Sequence, residues 1–163
     1  MPTAAQSQTP AGVWLHANKR IQVAIAPCGA RLCGKIVWFR WPNDAQGVPL
    51  VDLKNRDPAL RGRPLLGLTV LRDLRRADGE RAWEGGRIYN PDDGVDYRAL
   101  MTIQDDGTLR LRAYVLLPAL GKTLIWTNVR GRSHISSHRS LERARRLRHN
   151  QLSFIANFRL TPL

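Results

Sequence analysis

Apolar and polar side chains alternate with a period of two over much of residues 12–130, and that rhythm predicts strands rather than helices. Ile21, Val23 and Ile25 alternate with Gln22, Ala24 and Ala26. Tyr97, Ala99, Met101 and Ile103 alternate with Arg98, Thr102 and Gln104. Leu109, Leu111, Ala113 and Val115 alternate with Arg110, Arg112 and Tyr114, the cleanest run in the chain. Further strands are predicted at residues 12–15, 35–40, 65–74, 81–89 and 122–130. Residues 35–40, Lys-Ile-Val-Trp-Phe-Arg, are apolar on both faces and predict a strand covered on both sides. Gly85-Gly86 inside a strand predicts a bulge or a close backbone approach. The hairpin around Asn90-Pro91-Asp92-Asp93-Gly94 sits at the middle of the series, and Asp105-Asp106-Gly107 predicts another tight turn.

About eight strands joined mostly by short turns, with no helix between them, imply antiparallel order, because parallel neighbours need crossover connections. Closure into an up-and-down barrel removes the exposed edges of such a sheet. The fold class is therefore an all-β, antiparallel meander barrel, with a two-sheet sandwich as the runner-up. An eight-stranded barrel is just wide enough to be filled by side chains or to hold one small ligand.

Residues 41–63 break the rhythm. Pro42, Asn43, Asp44, Gly47, Pro49, Pro58 and Gly62 exclude a continuous strand or helix there. Such a loop inside a compact domain is uncommon and tends to be functional, and it carries Asp52, Asn55, Arg61 and Arg63. The domain plan is a flexible leader over residues 1–10, a barrel over 11–130 and a basic tail over 131–163. Met1 to Pro10 has no basic or apolar signal-peptide region, and Ala4-Ala5-Gln6 resembles what remains around a cleavage site.

Charge sharpens the division. Of the net +13, residues 1–130 carry 19 Lys and Arg against 12 Asp and Glu, and residues 131–163 carry 7 Arg against Glu142 alone. A basic body with a more basic tail suggests anionic partners, although an Arg-rich solvated surface accounts for the body equally well. In the tail, Leu141, Ala144, Leu147, Phe154, Ile155 and Phe158 recur near helical spacing among arginines. An amphipathic helix of that kind suits an anionic membrane surface. The plainer reading is a segment that packs across a barrel mouth or stays disordered. Cys28 and Cys33 flank a four-residue strand connection, which brings them close enough for a disulfide and would imply an oxidising compartment. Two packed, reduced thiols are the alternative.

The residues resemble a bacterial family, domain of unknown function 2147. The likeness is carried by Gly12-Val13-Trp14, Cys28-Gly29 with Leu32-Cys33-Gly34-Lys35-Ile36-Val37-Trp38, Asn55 with Asp57-Pro58, Arg61-Gly62-Arg63-Pro64-Leu65-Leu66-Gly67-Leu68, Trp83-Glu84-Gly85-Gly86-Arg87-Ile88-Tyr89-Asn90-Pro91, Gly94, Tyr97, and Gly121-Lys122-Thr123 with Trp126-Thr127. It covers roughly residues 12–130. The resemblance implies a lipocalin-like β-barrel, periplasmic or secreted, made with a signal peptide, and no established biochemical activity. Ala113 and Asn128 stand where the family tends to have Gly and Arg. In lipocalins a first-strand Trp packs under an Arg from the last strand. Trp14 and Trp126 are thus structural candidates, and Arg130, of the right strand parity, is the candidate cation that Asn128 cannot supply.

Candidate chemistry gathers on the long loop and the central hairpin. Asp52, Asn55, Arg61 and Arg63, with Arg87, Tyr89, Asp93 and Tyr97, are expected to ring a barrel mouth and fix one small hydrophobic or anionic ligand. The planar forks of Arg63 and Arg87 suit a carboxylate or phosphate. The plain alternative is that Asp93 serves the turn and Tyr97 packs. No catalytic constellation, metal site or cofactor motif is expected: His16 stands alone in the barrel region, and His134, His138 and His149 fall in the tail. A small-ligand barrel is the first reading and an envelope interaction module acting through the basic tail is the second. Nucleic-acid binding ranks last, because an exported protein rarely meets nucleic acid and the tail lacks an aromatic platform.

Overall fold

The computed structural model describes residues 9–78 and 81–129. It contains eight strands: β1 (Gly12–Leu15), β2 (Ile21–Cys28), β3 (Arg31–Phe39), β4 (Thr69–Arg76), β5 (Ala82–Asn90), β6 (Val95–Ile103), β7 (Leu109–Tyr114) and β8 (Lys122–Asn128). Each pairs antiparallel with the next, and β1 also pairs with β8, setting Trp14 opposite Asn128 and Leu15 opposite Thr127. The expected meander therefore closes into a barrel, and the sandwich is excluded. Closure pairs both edges that an open sheet would expose.

Three elements depart from the sequence reading, two of them for a local reason. Residues 35–40 are not covered on both faces, since Val37 and Trp38 are exposed. The register between β2 and β3 shifts so that Val23 faces Ile36 while Gln22 faces Trp38, leaving Val37 as the extra residue of a bulge. The bulge moves the inward parity by one, so Ile36 and Phe39 both reach the interior. An unbroken apolar run results without a second covering layer. β4 starts at Thr69 rather than Leu65, because residues 65–68 fold into a turn in which the Leu68 amide donates to the Leu65 carbonyl (3.1 Å). β8 ends at Asn128, and the proposed stacking of Arg130 on Trp14 lies outside the described residues, as does the tail over 131–163. Trp14 itself is buried and donates its indole N–H to the Pro10 carbonyl (2.7 Å). The anticipated Gly85-Gly86 bulge is present as a register shift between Trp83 and Gly86. A Cβ at Gly86 would lie 2.6 Å from the Arg72 carbonyl oxygen, so only glycine permits that approach.

The interior is one apolar cluster drawn from every strand, including Trp14, Ile25, Leu71, Leu74, Met101, Leu109 and Trp126. Leu71, Leu74, Ala99, Met101, Leu109 and Leu111 retain no surface that a water molecule can reach, so side chains fill the barrel around them. Meander topology gives the barrel two unlike ends. One, the disulfide end, carries the connections β2–β3, β4–β5 and β6–β7. Cys28 and Cys33 are bonded across the first of these, with Cα atoms 5.8 Å apart. The other, the loop end, carries β1–β2, the long β3–β4 connection, β5–β6 and β7–β8. The β3–β4 connection is ordered by two isolated bridges, Asn43 with Pro49 and Val51 with Pro64. It also holds a 3₁₀ turn, Pro58–Leu60, capped by the Asp57 carboxylate.

Candidate functional site

The eight residues singled out on the long loop and hairpin all lie on the loop-end half of the molecule, in three separate settings. Asp52, Asn55, Arg63 and Tyr89 converge on one point. The Asp52 carboxylate is fully buried. Its Oδ1 accepts from the Tyr89 hydroxyl (2.7 Å), and its Oδ2 accepts from Asn55 Nδ2 (2.8 Å), Arg63 Nε (2.9 Å) and Arg63 Nη2 (2.8 Å). Asn55 Nδ2 also donates to the Tyr89 hydroxyl oxygen (3.1 Å), and the Arg63 guanidinium lies 5.4 Å from the Tyr89 ring centroid. Arg61 braces the cluster by donating from Nε to the Asn55 carbonyl (2.8 Å). Ile88 belongs to the interior cluster, and strand alternation turns its neighbour Tyr89 outward. The cluster therefore fastens the long loop to the outer wall of β5, with every carboxylate oxygen engaged by the protein itself. Burial, and next the hydrogen bond to Asp52, push the Tyr89 phenol up to about 12, with Arg63 pulling the other way.

A second cluster organises the β5–β6 turn. Asp93 Oδ2 accepts from Asn90 Nδ2 (2.9 Å) and from the Tyr97 hydroxyl (2.8 Å), while its Oδ1 accepts from the Val95 amide (2.9 Å). Burial, then the Asp93 contact, push the Tyr97 phenol up to about 12. The long loop crosses directly over this turn. Gly94 has φ +69°, and a Cβ there would come 1.9 Å from the Lys54 carbonyl oxygen. No other residue fits at 94 without displacing the loop. Arg87 stands apart: it is exposed on the outer wall, between Arg72 and Arg98 on the neighbouring strands. It joins neither cluster.

The barrel interior holds polar groups that the sequence reading did not assign to a ligand. Trp126, 1% exposed, carries an indole N–H with no hydrogen-bond partner. The His16 ring, also buried, lies 5.7 Å away between centroids. Its Nδ1 accepts from the Asn18 backbone amide (3.1 Å), and burial lowers the pKa of the imidazole more than a side-chain hydrogen bond to Asn18 raises it. Among the described residues, six partly buried side chains pack onto the core, Leu32 near the disulfide turn and Ile21, Phe39, Leu68, Tyr97 and Leu124 towards the loop end. The interior is thus sealed in its middle, and most of the partly buried side chains that cover it lie towards the loop end. Strand parity marks Trp126 as inward from sequence. Nothing in a single chain says that its N–H lacks an acceptor.

A closed eight-stranded antiparallel barrel with one elaborated end is the lipocalin-like class of β-barrel. The model of the family described as "Uncharacterized protein conserved in bacteria (DUF2147)" matches residues 12–128, and the chain belongs to that family. The fold is similar to a solved structure from Helicobacter pylori, protein HP1028, described as belonging to the lipocalin family. That likeness has a TM-score of 0.62 and 24% identity, over 74% of this chain and 83% of the other. A comparison with curated proteins gives no match. A bacterial family and an internal disulfide together fit a location outside the cytoplasm.

Proposed function

We propose that this is a periplasmic or secreted binding protein that takes one small, mostly apolar molecule through the loop end of its barrel. The apolar body rests on Ile21, Phe39, Leu68, Tyr97 and Leu124, which move aside so that one accepting oxygen reaches the indole N–H of Trp126 inside the otherwise filled barrel. The observation that carries this reading is that buried, unpartnered N–H, since a buried donor left without an acceptor costs about 1–3 kcal/mol. A neutral acceptor, an ester, ketone or protonated acid, fits better than a carboxylate. Arg63, whose fork would suit a carboxylate, is already engaged by Asp52 on the outer wall, and a naked charge buried beside Trp126 would be costly. The role is binding rather than catalysis. Supporting this, the carboxylates of Asp52 and Asp93 are both engaged in holding loop structure.

The test uses ¹⁵N-labelled protein titrated with a long-chain fatty acid methyl ester and with an alkane of matched length. The expected result is a shift of the Trp126 indole resonance with the ester and tighter binding of the ester than of the alkane. Trp126→Phe should weaken ester binding about fivefold, the equivalent of about 1 kcal/mol, and leave the alkane unaffected. Equal affinity for the two probes in the wild type, or an unmoved Trp126 resonance on saturation, overturns the assignment.

A further inference from the structure

The two ends of the barrel differ in what they show to solvent. Among the described residues, nine of the twelve exposed large apolar side chains lie on two loop-end connections, β3–β4 and β7–β8. None lies on a connection at the disulfide end. The β7–β8 connection is the extreme case. Residues 115–120 read Val-Leu-Leu-Pro-Ala-Leu without one polar side chain, and Leu116 and Leu120 are 74% and 64% exposed. A surface turn ordinarily carries Gly, Asn, Asp or Ser, and clustered exposed leucines mark an interaction site in a way that a lone one does not. The segment is held rather than loose. Arg112 donates from Nε to the Pro118 carbonyl, from Nη2 to the Ala119 carbonyl (2.7 Å) and from Nη1 to the Thr123 hydroxyl (2.7 Å).

Charge says what kind of surface this end meets. Residues 16–20, 40–68, 91–94 and 115–122 carry eight Lys and Arg against five Asp, a net +3. Residues 29–31, 75–81 and 104–108 at the opposite end carry four of each sign. At the loop end one carboxylate, Asp52, is buried under Arg63. Trp41, 56% exposed, has two guanidiniums against its ring, those of Arg20 and Arg40 at 5.3 and 5.0 Å from the centroid. Apolar tips, an exposed indole and flanking arginines are the combination that settles at the headgroup level of a bilayer. A second copy of the chain would bring like charges together.

We infer that the loop end of the barrel docks on the surface of an anionic phospholipid bilayer, with Leu116, Leu117 and Leu120 dipping below the headgroups and Trp41, Arg20 and Arg40 at their level. This rests on surface features and not on the ligand reading, which concerns the interior. The docking face is on the barrel, distinct from the basic stretch over residues 131–163.

The full chain is the material for the test. It is mixed with vesicles of phosphatidylglycerol in phosphatidylcholine, and with phosphatidylcholine alone, each carrying lipids brominated high on the acyl chain. The tail contains no tryptophan, and Trp14, Trp83 and Trp126 are buried. Bromine quenching therefore reports on Trp41 and the neighbouring Trp38. The expected result is salt-sensitive pelleting with phosphatidylglycerol vesicles and quenching that Trp41→Phe largely removes. Leu116→Glu with Leu117→Glu should lower vesicle affinity about tenfold or more without changing the melting temperature. Pelleting that leaves tryptophan unquenched and survives the double substitution assigns lipid binding to another part of the chain and overturns the proposal. So does a failure to bind these vesicles, or a concentration-dependent dimer abolished by the same substitutions.

Discussion

The two ends of this barrel are built on different physical principles. The disulfide end uses short connections, an ion pair between Arg81 and Asp105 and a covalent bond between Cys28 and Cys33. It is electrically balanced and keeps large apolar side chains covered among the described residues. The loop end adds one long connection, β3–β4, held by buried polar contacts, of which the Asp52 cluster is the densest. It carries excess positive charge and exposes leucines. A covalent staple fixes geometry wherever the chain lies, whereas a buried carboxylate holds only while all its donors are in place. The end fastened by polar contacts is therefore the one able to respond to a partner, and the proposed ligand seat and bilayer face both lie there.

Removing Asp52 is the strongest way to break that contrast. Asp52→Ala strips the acceptor from the Tyr89 hydroxyl, the Asn55 amide and the Arg63 guanidinium together. Arg63 is partly exposed and water can solvate it, so the expected cost is about 3 kcal/mol, at the low end for a broken buried pair. Thermal unfolding should then fall by about 10 °C for a domain of this size. Limited proteolysis should open the chain within residues 53–63 first. Tyr89→Phe, which deletes one donor and keeps the ring, should cost about 1 kcal/mol. A loss below about 1 kcal/mol for Asp52→Ala would mean that the loop end is held by something other than this carboxylate.

Cys28→Ser with Cys33→Ser probes the other end. A short closed loop gains about 2 kcal/mol from its cross-link by chain entropy. The loss should be local: amide exchange should quicken in the β2–β3 turn, with no change around Asp52 and Gly94. Faster exchange at the loop end in this variant would show that the ends are coupled, and the contrast between them would fail.

Period-two alternation in β6 and β7, with Asp-Asp-Gly between them, made the barrel legible in the sequence, and turn residues placed most of its connections. The exception in β3 shows the limit. A single bulge at Val37 converts alternation into an unbroken apolar run, and a run of that sort reads as a strand covered on both faces. The site was legible as a set of residues and less so as an arrangement. Asp52, Asn55, Arg63 and Tyr89 do meet, but on the outer wall, because Ile88 occupies the interior and parity sends Tyr89 the other way. Arg87 shares that outward parity and joins neither polar cluster among the described residues. Hydrogen-bond satisfaction is a property of three-dimensional neighbours, so neither the saturation of Asp52 nor the orphaned N–H of Trp126 has a signature along the chain.

Alkaline titration separates the loop end spectroscopically. Tyr89 and Tyr97 both have folded pKa values near 12 against an ordinary value of 10. Because the folded values are raised, the neutral phenols contribute stability that is fully present below pH 10. That contribution is lost as the pH rises through 12. Phenolate absorbance should show two groups ionising near pH 12, together with a fall in folding stability over the same window. Tyr89→Phe should remove one step and leave that of Tyr97 in place. Ionisation of both at pH 10 in the folded protein would show that the long loop does not cover the hairpin.

The smallest effect belongs to Arg87, and it sets the baseline against which the others are read. Its side chain lies on the barrel wall away from both ends' polar clusters, exposed, with Arg72 and Arg98 as its cross-strand neighbours. Arg72 has its own carboxylate, Asp96, at 2.6 Å, and Arg87 has none among the described residues. Like charges opposite one another on a sheet face are mildly unfavourable, and water screens them at this exposure. Arg87→Ala should therefore change stability by less than about 0.5 kcal/mol, with any change in the stabilising direction and fading as salt is added. It should leave ester binding and vesicle binding untouched. A destabilisation of 2 kcal/mol or so on that wall would mean that the arginine row holds a structural anion, and the strand wall would then rank with the ends as a third functional region.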